Sequence, residues 1–536
     1  MDTPPVLALT AGLAVVGLGG AASQPGTPAR SATLLAPATM TRIGSVDERY
    51  QSYNVEMIEV TGGKFWKPYG AKPDGSADST SASPPSASDR PGGMNPDLYQ
   101  YRPPIDLRRA RLRKLAARLG PAYVRVSGTW ANTTYFPASA EALDSPPKGF
   151  SGVLTRPQWK DVVDFARAVD ARIVTSFATS PGTRDAAGVW TPDQARRLLE
   201  YTQSLGGRVA AAEFMNEPNF AAMGGAPAGY DAEAYGRDFK VFHAFVKRVA
   251  PGLVILGPGS VGERASGGLG SLSSRMIKTR ELLVATGPGV DAFSYHHYGT
   301  VSQRCAGAGA SMMTSPEAAL SEDWLSRTDA TLGFYRSLRD EFEPGKPMWL
   351  TETADAACGG NPWASSFLDA FRYLDQLGRL ARQGVQVVAH NTLVASDYGL
   401  LDEGDLTPKP KYWGALLWRK LMGTTVLDSG VPLRAGLHAY AHCLRGTPGG
   451  VALLVINTDK AASQTLTLAT KAERYTLTAT DPLSRQVQVN GTDLTLGSND
   501  DLPRLAGVPI PAGELTLPPG TITFLAVSGA GNRSCR

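Results

Sequence analysis

Two glutamates set in similar surroundings are the residues of this chain best placed to do chemistry. Asn216-Glu217-Pro218 closes an apolar run over residues 209–215, so a carboxyl falls at the C-terminal end of a buried strand where proline stops the ladder. At Lys346-Pro347-Met348-Trp349-Leu350-Thr351-Glu352-Thr353 a second short strand ends in glutamate. Two carboxyls at two strand ends suit glycosidic bond cleavage. One protonates the leaving oxygen, and the other meets the positive charge that develops at the anomeric carbon. Glu217 is expected to be the protonated partner, because burial and a nearby anionic Glu352 both disfavour its ionised form. Glu352 is then the nucleophile, and Asn216 fits a donor to the sugar 2-OH. A separation of about 5–5.5 Å would imply retention of configuration and about 6.5–9.5 Å inversion. The plainer alternative is that both glutamates cap the helices after their strands.

Other polar groups carry weaker signals. His296-His297-Tyr298 ends a further strand, with no HExxH and no acidic ligand at helical spacing, so a metal is not expected. One ring or the Tyr298 hydroxyl is expected to orient Glu352. His438 and His442, four apart in strand-like sequence, share one sheet face and read as a surface pair. The basic run Arg108, Arg109, Arg111, Arg113 and Lys114 reads as a solvated helix face, since leucines hold the other side. Asn132-Thr133-Thr134 and Asn490-Gly491-Thr492 match glycosylation sequons. No GxSxG elbow or phosphate loop occurs, which argues against esterase and NTPase chemistry.

The elements that must hold these groups follow an alternating pattern. Eight strand-like segments, near residues 53–58, 122–126, 172–177, 209–215, 253–256, 291–296, 346–352 and 385–390, are separated by helical periodicity, as in a closed parallel (β/α)8 barrel. Glu217 ends the fourth strand and Glu352 the seventh, and strand ends of that kind carry catalytic groups in such barrels. The stretch between 258 and 291 reads as irregular. After residue 424 the texture changes to short Val-, Leu- and Thr-rich runs broken by Gly, Asn and Pro, a β-sandwich with no obvious site. The expected division is a signal peptide over 1–22, a leader and a strand lent to the sandwich over 23–49, the barrel over 50–423 and the sandwich over 424–536. The chain has 536 residues, 42% hydrophobic and 19% charged, enough for one large domain and a smaller one. A net charge of +4 announces no nucleic-acid partner, and no internal run is apolar for long enough to span a membrane. Residues 6–22 form the apolar core of a signal sequence, though the preceding residues lack its usual positive charge. Four cysteines suit two disulfides in an exported protein. Their grouping suggests Cys305–Cys358 and Cys443–Cys535, with the other pairings open.

With those residues in hand, the chain resembles glycoside hydrolase family 79, the heparanase and β-glucuronidase family. The matching stretches are residues 122–129, Asn216-Glu217-Pro218-Asn219, His296-His297-Tyr298, Trp349-Leu350-Thr351-Glu352-Thr353, much of 369–388, and Asp397-Tyr398-Gly399-Leu400-Leu401-Asp402 followed by Tyr412-Trp413. The resemblance implies a retaining barrel enzyme with a β-sandwich, acting on β-linked glucuronic acid without a cofactor, a metal or an obligate protein partner. It makes Glu217 the acid/base and Glu352 the nucleophile. Tyr398 and the backbone amides around Cys358, Gly359 and Gly360 would bind the uronate carboxylate, and Glu56 and Thr129 match other sugar contacts. His390-Asn391 stand where the family has a glutamine, which makes His390 a candidate sugar contact. The family's lysine clusters for sulfated chains have no clear counterpart here, and there is no long excisable linker. An exo-β-glucuronidase acting on β-glucuronides or uronate-containing oligosaccharides is therefore expected. The alternatives are an endo-acting enzyme on heparan sulfate or hyaluronan, and a non-catalytic carbohydrate-binding protein on the same barrel.

Overall fold

In the computed structural model, residues 33–69, 95–141, 143, 145–263, 276–308 and 313–536 are described. The expected signal segment and most of a Pro- and Ser-rich stretch over 73–96 lie outside them.

Eight strands close into a parallel barrel: β1 (Gln51–Glu56), β2 (Ala122–Ser127), β3 (Ala171–Ser176), β4 (Val209–Glu213), β5 (Val254–Ser260), β6 (Ala292–Val301), β7 (Met348–Ala357) and β8 (Val385–His390). Each is followed by a helix: α1 (Ala110–Ala117), α2 (Arg156–Ala168), α3 (Asp193–Ser204), α4 (Ala232–Val249), α5 (Thr279–Thr286), α6 (Arg327–Phe342), α7 (Phe367–Arg382) and α8 (Pro410–Leu421). The strands are buried along nearly their whole length, so they lack the alternation of a half-exposed sheet. Helix starts follow local chemistry. Thr155 and Gln158 form a capping box ahead of α2, and Asp231 accepts the Ala234 N–H ahead of α4.

Three boundaries differ from the sequence expectation. The β4 ladder ends at Glu213, and Glu217 stands four residues beyond it at φ +48°. Glu352 lies mid-strand, because β7 continues to Ala357 and pairs through Val301 with an equally long β6. The irregular stretch before β6 contains α5, whose eight residues are too few to show a convincing helical period.

Behind the barrel, a large sheet and a small one stack. The large sheet includes Arg42–Ser45, Met422–Leu427, His438–Leu444, Val451–Asn457, Thr521–Val527 and Ala472–Thr478, and the small one Thr33–Leu35, Gln464–Leu468 and Gly513–Leu517. The strand Val451–Asn457 shows how the layers are joined. Ala452, Leu454 and Ile456 pack into the barrel's helix layer, while Val451, Leu453 and Val455 pack between the sheets, so both faces of a period-two strand are buried. The two disulfides are Cys305–Cys358 and Cys443–Cys535, as the grouping suggests. Among the described residues no helix is long and apolar enough to cross a membrane.

Two surface readings are corrected by this packing. His438 and His442 are buried. His438 Nδ1 lies 2.6 Å from Asp375 of α7 and its Nε2 2.9 Å from Glu322, so it joins the sandwich to the barrel. His442 Nδ1 bonds the Gly423 carbonyl at 2.6 Å. Within the basic run, Arg111 pairs with Asp500 and Lys114 with Asp501, which makes that helix face partly an inter-layer contact. Asn132 is buried against Asn216 and is no glycosylation acceptor. Burial disfavours charge on His438, but Asp375 outweighs it and raises the pKa above the ordinary imidazole value. A raised folded-state pKa means this link stabilises fully below about pH 6.5 and is lost as pH rises through the higher value. The melting temperature is therefore expected to fall over that alkaline window in wild type and to lose this dependence in His438→Gln. Asp375→Asn, which leaves Arg379 and His438 short of their shared anion, is expected to cost about 3–5 kcal/mol in denaturant unfolding.

Candidate active site

Both glutamates project at the C-terminal mouth of the barrel, and a buried polar network sets their positions. Arg125 of β2, 2% exposed, is at its centre. Its Nη1 donates to Glu352 Oε2 at 2.8 Å, and its Nη2 donates to Glu213 Oε2 at 2.8 Å and to Asn216 Oδ1 at 2.7 Å. Glu213 also accepts from Thr351 Oγ1 at 2.7 Å. Burial alone would raise the Glu213 pKa, but the Arg125 charge and His296 hold it well below the ordinary carboxylate range. Neither Arg125 nor Glu213 stands out as a site residue in the sequence. The available signal was a charge in the middle of each buried strand run, which demands a partner.

Period-two alternation along β6 sorts the three residues of its motif. His296 and Tyr298 point into the site, whereas His297 turns outward to Thr331 of α6. His296 Nδ1 lies 2.9 Å from Glu217 Oε1, and Tyr298 donates to Glu352 Oε1 at 2.6 Å. Burial opposes charge on His296, yet Glu352, Glu213 and Glu217 together carry its pKa up to about 9, so the ring donates to Glu217. Burial pushes the Glu217 carboxyl above the ordinary range, the His296 bond opposes this, and the charge of Glu352 adds to it. The Glu217 side chain makes no cap bond to the short helix after it, which removes the capping alternative for that residue. Asn132 grips Asn216 through both its N–H and its carbonyl. With Oδ1 taken by Arg125, the Asn216 amide nitrogen has no partner among the described residues.

One oxygen of Glu217, one of Glu352 and a ring nitrogen of His296 lie within 4.8 Å of one another. Such a triad could be read as a cation site, but the donor set is wrong for one. A protonated imidazole offers no lone pair, and the Arg125 guanidinium 2.8 Å from Glu352 repels a cation.

The remaining candidates surround this pair. Glu56, at the end of β1, is buried with Oε2 unpaired. Burial, followed by the charge of Glu352, raises its pKa well above the carboxylate range. Gly128, at φ +91°, makes room for it, since a Cβ there would collide with the Glu56 carboxyl. Thr129 is half-buried on the turn after β2. Tyr398 is buried, and its loop is held by Lys409 Nζ on the Ser396 and Asp397 carbonyls and by Lys411 Nζ on the Tyr398 carbonyl. Cys358, Gly359 and Gly360 form a left-handed turn after β7. His390 is a correction: it turns away from the site, its Nε2 on the Tyr398 carbonyl and its ring 5.1 Å from that of Tyr373. The next residue, Asn391, faces inward instead and donates to the hydroxyls of Tyr298 and Tyr398. A one-residue shift at a strand end exchanges the two faces.

Residues 145–378 match the family described as Glycosyl hydrolase family 79, N-terminal domain. The chain is 31% identical to heparanase of Mus musculus over 365 residues, covering 65% of this chain and 64% of that one. It is 28% identical to baicalin-β-D-glucuronidase of Scutellaria baicalensis over 344 residues, covering 60% and 59%. The match thus spans slightly less than two thirds of these relatives' own length. Among solved structures, a 4-O-α-L-rhamnosyl-β-D-glucuronidase from Fusarium oxysporum 12S superposes with a TM-score of 0.59 over 92% of this chain and 99% of that one, at 16% identity, a likeness of fold. These similarities support placing the protein in glycoside hydrolase family 79.

Proposed function

We infer that the protein is a retaining exo-β-glucuronidase, with Glu217 as acid/base and Glu352 as nucleophile. The observation that carries this reading is that one oxygen of Glu217 and one of Glu352 lie within 4.8 Å of each other, closer than the wide spacing of an inverting pair and suited to direct attack at the anomeric carbon. Glu217 protonates the leaving oxygen while Glu352 attacks. Glu217, then anionic, draws a proton from the water that releases the sugar. Asn216 donates to the 2-OH through its free amide nitrogen. The Gly359 and Gly360 amides and the Tyr398 hydroxyl donate to the uronate carboxylate, recognising an anion through neutral donors. Glu56, its carboxyl pushed up by burial and its Oε2 without a partner among the described residues, is suited to a sugar hydroxyl.

Exo action is supported by cross-bracing on one flank. Arg102, on the two-stranded hairpin of Gly63–Trp66 and Tyr99–Arg102 after β1, pairs with Glu403 after β8, and Tyr69 N–H donates to Asp397 at 3.2 Å. Trp66 of the same hairpin packs against Gly359 after β7. A flank tied through three loops suits a terminal sugar better than a chain passing through. The two disulfides support an exported location.

The test is nitrophenol release from the aryl β-glucuronide beside the β-glucoside and β-galactoside. Turnover of the glucuronide alone is expected. Internal cleavage of heparan sulfate or hyaluronan without aryl glucuronide turnover would replace exo with endo action, and no turnover of any of these would indicate a binding protein. Glu352→Gln is expected to fall to background. Glu217→Ala is expected to lose about 10²–10⁴-fold with a poor leaving group, and added azide should restore rate as a β-glucuronyl azide. Because Glu217 must hold its proton, kcat/KM is expected to be maintained below its raised pKa and to fall above it. That alkaline limb should lie above the ordinary glutamate value of about 4.3, and Glu217→Ala should abolish it.

A further inference from the structure

The carbonyls of the turn after β7 are all engaged by side chains. Cys358 O accepts from Ser302 Oγ at 3.0 Å and from Arg304 Nη1 at 3.2 Å. Gly360 O accepts from the same Arg304 nitrogen at 3.0 Å, and Gly359 O from Ser396 Oγ at 2.8 Å. Cys358, Gly359 and Gly360 have φ of +63°, +81° and +88°. No acceptor for the Gly359 or Gly360 N–H occurs among the described residues. Consecutive left-handed residues with their carbonyls held aside present their amides as an anion-binding concavity. Side chains at the two glycines would meet Trp66 and Ser396 in one case and Ala364, Asp355 and Tyr398 in the other, so the turn is closely packed as well as bonded.

Arg304 has its own charge occupied elsewhere. Its guanidinium pairs with Asp397, lies 3.7 Å above the Tyr69 ring and is 6% exposed. The neighbouring Cys305 is bonded to Cys358 at the start of the turn. The planar five-donor fork reaches two carbonyls and a carboxylate together, a geometry that a lysine ammonium cannot copy.

We propose that Arg304, assisted by the Cys305–Cys358 disulfide, is a specificity-determining positioning residue that fixes the Gly359–Gly360 amides toward the sugar carboxylate without touching it. This rests on the uronide reading above. The test compares kcat and KM for the aryl β-glucuronide and β-glucoside in full-length wild type, Arg304→Met, Arg304→Lys and Cys305→Ala/Cys358→Ala, with melting temperatures alongside. Arg304→Gln/Asp397→Asn removes the buried pair as a unit, should the single change fail to fold. The expected result is a rise in glucuronide KM of about tenfold or more, the scale of losing charge-assisted bonds, with kcat little changed. Glucoside kcat/KM should stay constant, so selectivity falls by the same factor, and lysine should not restore it. A parallel loss for both substrates, an unchanged glucuronide KM, or full restoration by lysine would overturn the proposal while leaving the glucuronidase reading intact. Wild type inactive on the glucuronide would overturn both.

Discussion

One desolvated guanidinium organises the reactive end of this barrel. Arg125 is buried among Glu213, Glu352 and Asn216, and a cation taken out of water this completely is tolerable only where anions and acceptors surround it. Its partners sit on β4, on the turn after it that carries Glu217, and on β7, which carries Glu352, so one ion cluster orders the surroundings of both glutamates. The cluster is also asymmetric. Arg125 and Tyr298 donate to Glu352 directly, whereas among the described residues Glu217 receives the His296 bond alone and is pushed by burial toward its protonated form. Two chemically identical side chains a few ångströms apart thereby sit in different environments, as the proposed double displacement requires.

His296 links the two halves of this arrangement. Glu213 and Glu352 supply the negative charge that keeps it protonated, and it passes part of that influence to Glu217 as a hydrogen bond. In the proposed mechanism, when Glu217 gives up its proton an imidazolium is already positioned to stabilise the anion, so the acid can return as a base without rearrangement. Around this centre the loops after β1, β6, β7 and β8 are braced to one another through Arg102, Arg304, Asp397 and Glu403, which places recognition on loops made rigid by buried ion pairs. The large sheet behind α7 and α8 adds apolar area on its barrel-facing side and the Asp375–His438 link, far from the mouth.

Much of this was legible before any coordinates. Barrel strands buried along their length read as apolar runs, and the intervening helices have a clear period, so the order of elements and the strand numbers of Glu217 and Glu352 follow directly. The cysteine grouping also gives the pairing that the structure contains. What escaped the sequence depends on contacts distant along the chain. Arg125 and Glu213 are 88 positions apart and meet only because β2 and β4 face a common interior. His438 looked superficial because histidines four apart share one face of its strand, and only the docked sheet shows that this face is buried as well. The exchange of His390 for Asn391 turned on a single residue of register at the end of β8, a detail periodicity does not resolve. Arg304 gave no signal, since its role comes from a turn 54 residues away.

The central claim, that Glu352 attacks the sugar while Glu217 handles the proton, is tested most directly by trapping the glycosyl-enzyme. A 2-deoxy-2-fluoro-β-glucuronyl fluoride slows both steps by withdrawing charge from the oxocarbenium-like transition state, and its good leaving group lets the adduct accumulate. Intact-mass and peptide mass spectrometry should show one added fluoro-uronyl group, located at Glu352 and absent in Glu352→Gln. An adduct on any other residue, or none while the unsubstituted glucuronide is turned over, would contradict the account.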